Sequence, residues 1–120
     1  MGDLTKNLSR HEFRCQCGVC EFRAADFELV KILQSVVDHF QADHIFITSG
    51  IRCEDHNAQV GGAVDSQHVK GLAADFYVSD TDVDDIADYL DWKFPDKYGI
   101  GVYKTWIHLD VRKTKARWRD

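Results

Sequence analysis

At 120 residues, 44% of them hydrophobic and 12% aromatic, with a single proline, the chain has the length and composition of one folded domain, which excludes two separate cores and a disordered chain. The net charge of −5 is unevenly spread: residues 112–120 hold five basic side chains and one acid, leaving residues 1–111 with 10 basic against 19 acidic, a net of −9. So acidic a body excludes broad binding to a phosphate backbone, and no nucleic-acid partner is expected.

No repeat, low-complexity run or Pro/Gly-rich linker interrupts residues 1–120, which read as a single domain. Residues 1–10 lack the apolar run of a signal peptide and no stretch approaches spanning length, so the chain is expected to be made in the cytoplasm without membrane insertion. Leu29, Ile32, Leu33, Val36, Val37 and Phe40 recur at helical spacing and predict an amphipathic helix over residues 25–41. The β-branched and aromatic run 44–49 predicts a strand ending at Gly50, and residues 55–60 a short helix halted by Gly61 and Gly62. A strand follows over 73–78, then a helix over 81–92 with Val83, Ile86, Ala87 and Leu90 inward and Thr81 as its N-cap. Residues 99–103 and 106–111 predict a hairpin closed at Lys104-Thr105, and the basic segment 112–120 a solvated end that could meet an anionic surface. The mixture predicts an α+β architecture in which an antiparallel sheet packs with helices.

Period-two geometry puts Ile107, Leu109 and Val111 on one face of the last strand, and Trp106, His108, Asp110 and Arg112 on the other. Asp75 sits between Ala74 and Phe76 in an apolar run, where a carboxylate is costly to bury without a cation or several donors. His68 lies seven residues earlier, with Gly71 between them free to turn the chain back. Ligands from His68, Asp75 and His108 would leave one tetrahedral position for water, the arrangement of a catalytic rather than a structural zinc.

The blocks Ser49-Gly-Ile-Arg52, His56-Asn57, Val60-Gly-Gly-Ala63, Ser66-x-His68-x-x-Gly71-x-Ala73-x-Asp75, Gly99-x-Gly101-x-Tyr103 and Trp106-x-His108-x-Asp110-x-Arg112 run in one order. Together they resemble the M15 family of zinc D-Ala-D-Ala carboxypeptidases and endopeptidases, most closely the small phage and bacterial members, over about Leu8 to Arg112. The resemblance implies a hedgehog/DD-peptidase-like α+β fold. It makes His68, Asp75 and His108 the ligands of one catalytic zinc ion and Arg52 the anchor for a substrate carboxylate or carbonyl, a role that suits a planar permanent cation. Peptidoglycan stem peptides or cross-links become the expected substrate and the cell wall the place of action, reached after release from the cell or on a virion, by a monomer. Many relatives carry an acid three residues before the last ligand, or a second His two before it, where this chain has Thr105 and Trp106. Asp110 is therefore the candidate general base, with orientation of the His108 imidazole as its other reading.

Ser66 could hydrogen-bond the substrate or cap its loop. Cys15, Cys17, Cys20 and Cys53 could hold a second, structural zinc, or stay reduced thiols, or pair after release into an oxidising compartment. Two other function classes compete. A non-catalytic zinc-containing binding module of the same fold would need no acid at position 105, and a zinc-ribbon interaction domain would rest on the cysteines but meets the acidic body. A zinc deaminase lacks its H-x-E and P-C-x-x-C pair.

Overall fold

A computed structural model describes residues 5–13, 26–50 and 72–120. Cys15, Cys17, Cys20, Arg52, Cys53, the helix expected over 55–60, Ser66 and His68 lie outside the described residues. Asp75, His108 and Asp110 lie within them.

Helix α1 spans Phe27–Phe40 and begins where Asp26, in extended conformation, accepts hydrogen bonds from the backbone N–H groups of Glu28 and Leu29. Its stripe of Leu29, Val30, Ile32, Leu33, Val36 and Val37 is buried, as the spacing predicts. Strand β1 (Ile45–Ser49) pairs antiparallel with β2 (Ala73–Val78), and α2 (Val83–Lys93) then leads to β3 (Gly99–Val102), β4 (Ile107–Asp110) and β5 (Ala116–Arg119). The five strands form one sheet in the order β1-β2-β4-β3-β5. Both helices pack on one face, where Ala74, Phe76, Ile107, Leu109, Ile100 and Val102 meet Leu33, Val36, Ile86 and Leu90 in the core. No helix among the described residues is long and apolar enough to cross a membrane.

Three expectations are corrected. The sheet is mixed rather than antiparallel, because β5 runs parallel to β3. After β4 the chain crosses the start of β3 in a five-residue link, fastened by Tyr98 N–H to the Arg112 carbonyl and Ala116 N–H to the Tyr98 carbonyl, so β3 becomes an interior strand. Second, α2 is capped by Asp82 rather than Thr81, and without a side-chain capping bond, since the Thr81 hydroxyl donates to the Ser79 carbonyl instead.

Third, the basic end is a strand and not a solvated tail. Arg117 points to the helix side, where its guanidinium donates to the carbonyls of Tyr98 at 2.6 Å and Phe94 at 2.7 Å and to the Asp91 carboxylate at 2.8 Å. Arg119 reaches Asp84 at 2.7 Å. The two ion pairs with exposed acids of α2 are worth little singly. The bonds to the carbonyls matter more: the Tyr98 carbonyl also accepts from Ala116 N–H, but a carbonyl such as that of Phe94 that loses its donor in a half-buried place costs about 1–3 kcal/mol. Arg117→Met should accordingly lower unfolding free energy by about 1–3 kcal/mol, seen as a lower urea midpoint at unchanged slope.

Candidate metal centre

The register of the sheet explains how the polar groups meet. On the face away from the helices, one rung crosses all five strands as Ser49, Asp75, His108, Gly101 and Trp118, and the next crosses four as Ala73, Asp110, Gly99 and Ala116. Directly opposed residues on neighbouring strands hold their side chains within contact distance. Asp75 and His108 are such a pair, with Asp75 Oδ1 2.9 Å from His108 Nδ1. A bulge at Thr48 shifts β1 past β2 beside them, and the Thr48 hydroxyl donates to the Asp75 carbonyl at 3.1 Å.

Behind the imidazole, His108 Nε2 lies 2.8 Å from Asp110 Oδ2. Asp110 has 0% of its surface exposed and is the one buried charged residue among those described. Arg112 answers it in a fork, Nε to Oδ1 and Nη2 to Oδ2 at 2.7 Å each, and adds its backbone N–H to Oδ1 at 3.2 Å. Burial alone would raise the Asp110 pKa, but the hydrogen bonds from His108 and Arg112 outweigh it and hold the carboxyl well below the ordinary range. For His108, burial alone would favour the neutral ring, yet the hydrogen bonds to Asp110 and Asp75 prevail and raise its pKa. With both ring nitrogens facing carboxylates, only an imidazolium, or a cation in place of one proton, satisfies the two contacts.

The space for these groups is left by two glycines. A Cβ at Gly99 would strike both Asp110 oxygens and Arg112 Nε, and one at Gly101 would strike the Trp118 indole. The structure fills their places with the chain's own Asp110, Arg112 and Trp118.

Asp75 and His108 fit a metal. A nitrogen and an oxygen bound to one tetrahedral zinc at the usual bond lengths stand about 3.3 Å apart, close to the 2.9 Å between Nδ1 and Oδ1. A carboxylate on the remaining ring nitrogen is the common companion of a ligand histidine. Among the described residues no group of three or more His, Cys, Asp or Glu is arranged to hold an ion, and His68 lies outside them. A cleft of about 500 Å³ opens beside Asp75, lined among the described residues by Thr48, Asp75, Tyr77, Thr105 and Trp106. Of the aromatics lining it, Tyr77 stacks on Phe46 at 4.7 Å between ring centroids and Trp106 on Tyr103 at 4.6 Å, so each is backed by a second ring.

A family model described as Peptidase M15 matches residues 6–110. The chain belongs to the M15 peptidase family. No curated protein and no solved structure matches. Membership in M15 carries metallopeptidase character as the family's chemistry, with zinc its general cofactor.

The sequence placed Asp75, His108 and Asp110 in the site, and the sheet brings all three together. It missed the parts played by Arg112 and Trp118. Arg112 was legible as a neighbour of Asp110 on one strand face, and Trp118 could have been suspected as an aromatic in the alternating run Ala116-Arg-Trp-Arg119. Since the Asp110 pKa is held below its unfolded value near 3.9, its stabilisation is complete above that pH and is lost as pH falls through the folded value. Arg112→Met should remove about 2–4 kcal/mol at pH 7 and flatten the acid limb of a curve of urea midpoint against pH.

Proposed function

We propose that this M15 member is a zinc-dependent peptidase that hydrolyses a peptide bond in bacterial peptidoglycan stem peptides or cross-links, endolysin-like in its setting and hedgehog/DD-peptidase-like in its fold. The observation that carries the reading is the Asp75–His108 pair with Asp110 behind its second ring nitrogen, in a chain whose residues 6–110 match the family.

In this reading His68, Asp75 and His108 hold the ion, and zinc when bound supplies a Lewis acid for the scissile carbonyl and an acidified water. The remaining work belongs to the chain. Arg52 anchors a substrate carboxylate or carbonyl, and Ser66 contributes a hydroxyl to the same end of the substrate. Tyr77 and Trp106, each backed by a second ring, give the peptide an apolar wall beside Asp75. Asp110 orients the imidazole rather than accepting a proton: one of its oxygens faces Nε2, Arg112 bonds to both, and none of its surface meets solvent. The proton then goes to another group, and the segment 51–71 carries Glu54, Asp55, His56 and Asp65. The second, structural zinc on Cys15, Cys17, Cys20 and Cys53 stays a separate proposal, decided by counting metal per chain.

A non-catalytic binding module of the same fold is favoured by one feature: among the described residues lining the cleft, Asp75 is the lone carboxylate, with Thr105 and Trp106 at its rim. Digestion of purified sacculi separates the two. The peptidase should release fragments identifiable by mass, stop on chelation and recover with zinc. A folded, zinc-loaded protein that binds sacculi and releases nothing would establish the module instead. Asp110→Asn should weaken zinc binding about 10–100-fold in a competition with a chromophoric chelator, as expected for a carboxylate behind a ligand histidine.

A further inference from the structure

The matched segment ends at Asp110, yet the polar centre does not. Trp118 of β5 stands on the same rung as Asp75 and His108, separated from His108 by Gly101. Residues two strands apart in a sheet are about 9–10 Å apart at the backbone, so their side chains ordinarily meet nothing but the residue between. Here that residue has no side chain. The indole leans through the gap until its ring centroid is 5.1 Å from that of His108, at a 44° tilt.

The indole is itself held on two sides. Its Nε1–H donates to the Tyr103 hydroxyl at 3.0 Å, and the Arg112 guanidinium lies over its ring at 5.5 Å while gripping Asp110. Two carboxylates hold the imidazole at its nitrogens, and the indole packs beside the ring they hold. The clamp on β5 completes the arrangement, because Arg117 and Arg119 tie the strand to α2 from the other face.

We infer that Trp118 is a positioning residue for His108, so that the last strand, beyond the matched segment, sets how well the centre holds a divalent cation. The inference rests on the reading of His108 as a zinc ligand. It adds that a bulky planar ring at position 118 is required for full affinity, where an inert packing residue would be replaceable by any apolar group.

The test compares full-length wild type with Trp118→Ala, Trp118→Leu and Trp118→Phe, each checked for its melting temperature. In metal-free protein, His108 ring-proton resonances, assigned by their loss in His108→Gln, report the indole directly through its ring current. They should move in Trp118→Ala and Trp118→Leu. Zinc affinity, read against a chromophoric chelator, should fall about tenfold in both and return to within a few-fold of wild type in Trp118→Phe. Should Trp118→Ala fail to fold, Trp118→Leu retains the apolar bulk and carries the comparison. Unmoved His108 resonances, or moved resonances with wild-type zinc affinity, would overturn the inference. A wild type that binds no zinc would instead sink the zinc reading itself, and nuclear Overhauser contacts from the His108 ring protons to residues other than 118, changed or unchanged in the metal-free variants, would then decide whether Trp118 orients the ring.

Discussion

A carboxylate with none of its surface in water organises this face of the sheet. Asp110 could not stay ionised inside without donors, and the chain supplies three from Arg112 and one from His108. Each donor imposes a further condition. Arg112 must fold back over β3, which needs Gly99 to lack a Cβ. The His108 ring must present Nε2 inward, which turns Nδ1 towards Asp75 across the β2–β4 pairing. The orientation that turns Nδ1 towards Asp75 is thus the same one that keeps Asp110 charged.

The mixed sheet follows from the need to cover β3. A hairpin of β3 and β4 alone would leave β3 as an edge with unpaired backbone groups beside the polar centre. Laying β5 along it in parallel pairs those groups and brings Trp118 onto the His108 rung, while Arg117 and Arg119 on the opposite face meet an α2 rich in aspartate. The charge asymmetry of the sequence, an acidic body and a basic end, is resolved within the molecule as an intramolecular contact. An external anionic surface is not needed to explain it.

Elements whose burial is set by local periodicity were legible. The stripe from Leu29 to Val37, the apolar run Ala73–Val78 and the β3–β4 hairpin each encode their own inward face, and the structure keeps them. Asp75 and His108 were legible too, because a carboxylate and an imidazole at alternate positions of apolar strands ask for partners. What was illegible depends on contacts between distant segments. Residues 116–119 are short, half basic and weakly patterned, so only pairing with β3 makes them a strand. Thr81 and Asp82 offer equivalent caps in sequence, and the choice is made by where Ser79 presents its carbonyl.

The same reasoning explains why the part of Asp110 could not be read from spacing. Two residues apart on one strand face, His108 and Asp110 are placed for either a proton relay or a fixed contact. The distinction lies in water access and in the remaining lone pairs, and both are decided by Arg112 and by the second rung of the sheet rather than by the strand that carries the pair. A base must release and take up protons at working pH, whereas a carboxylate held far below its ordinary pKa by a guanidinium fork gives up its basicity in exchange for rigidity. That exchange suits the orienting role proposed for Asp110, since the fork that removes the carboxylate's basicity is the same one that fixes the oxygen facing the imidazole.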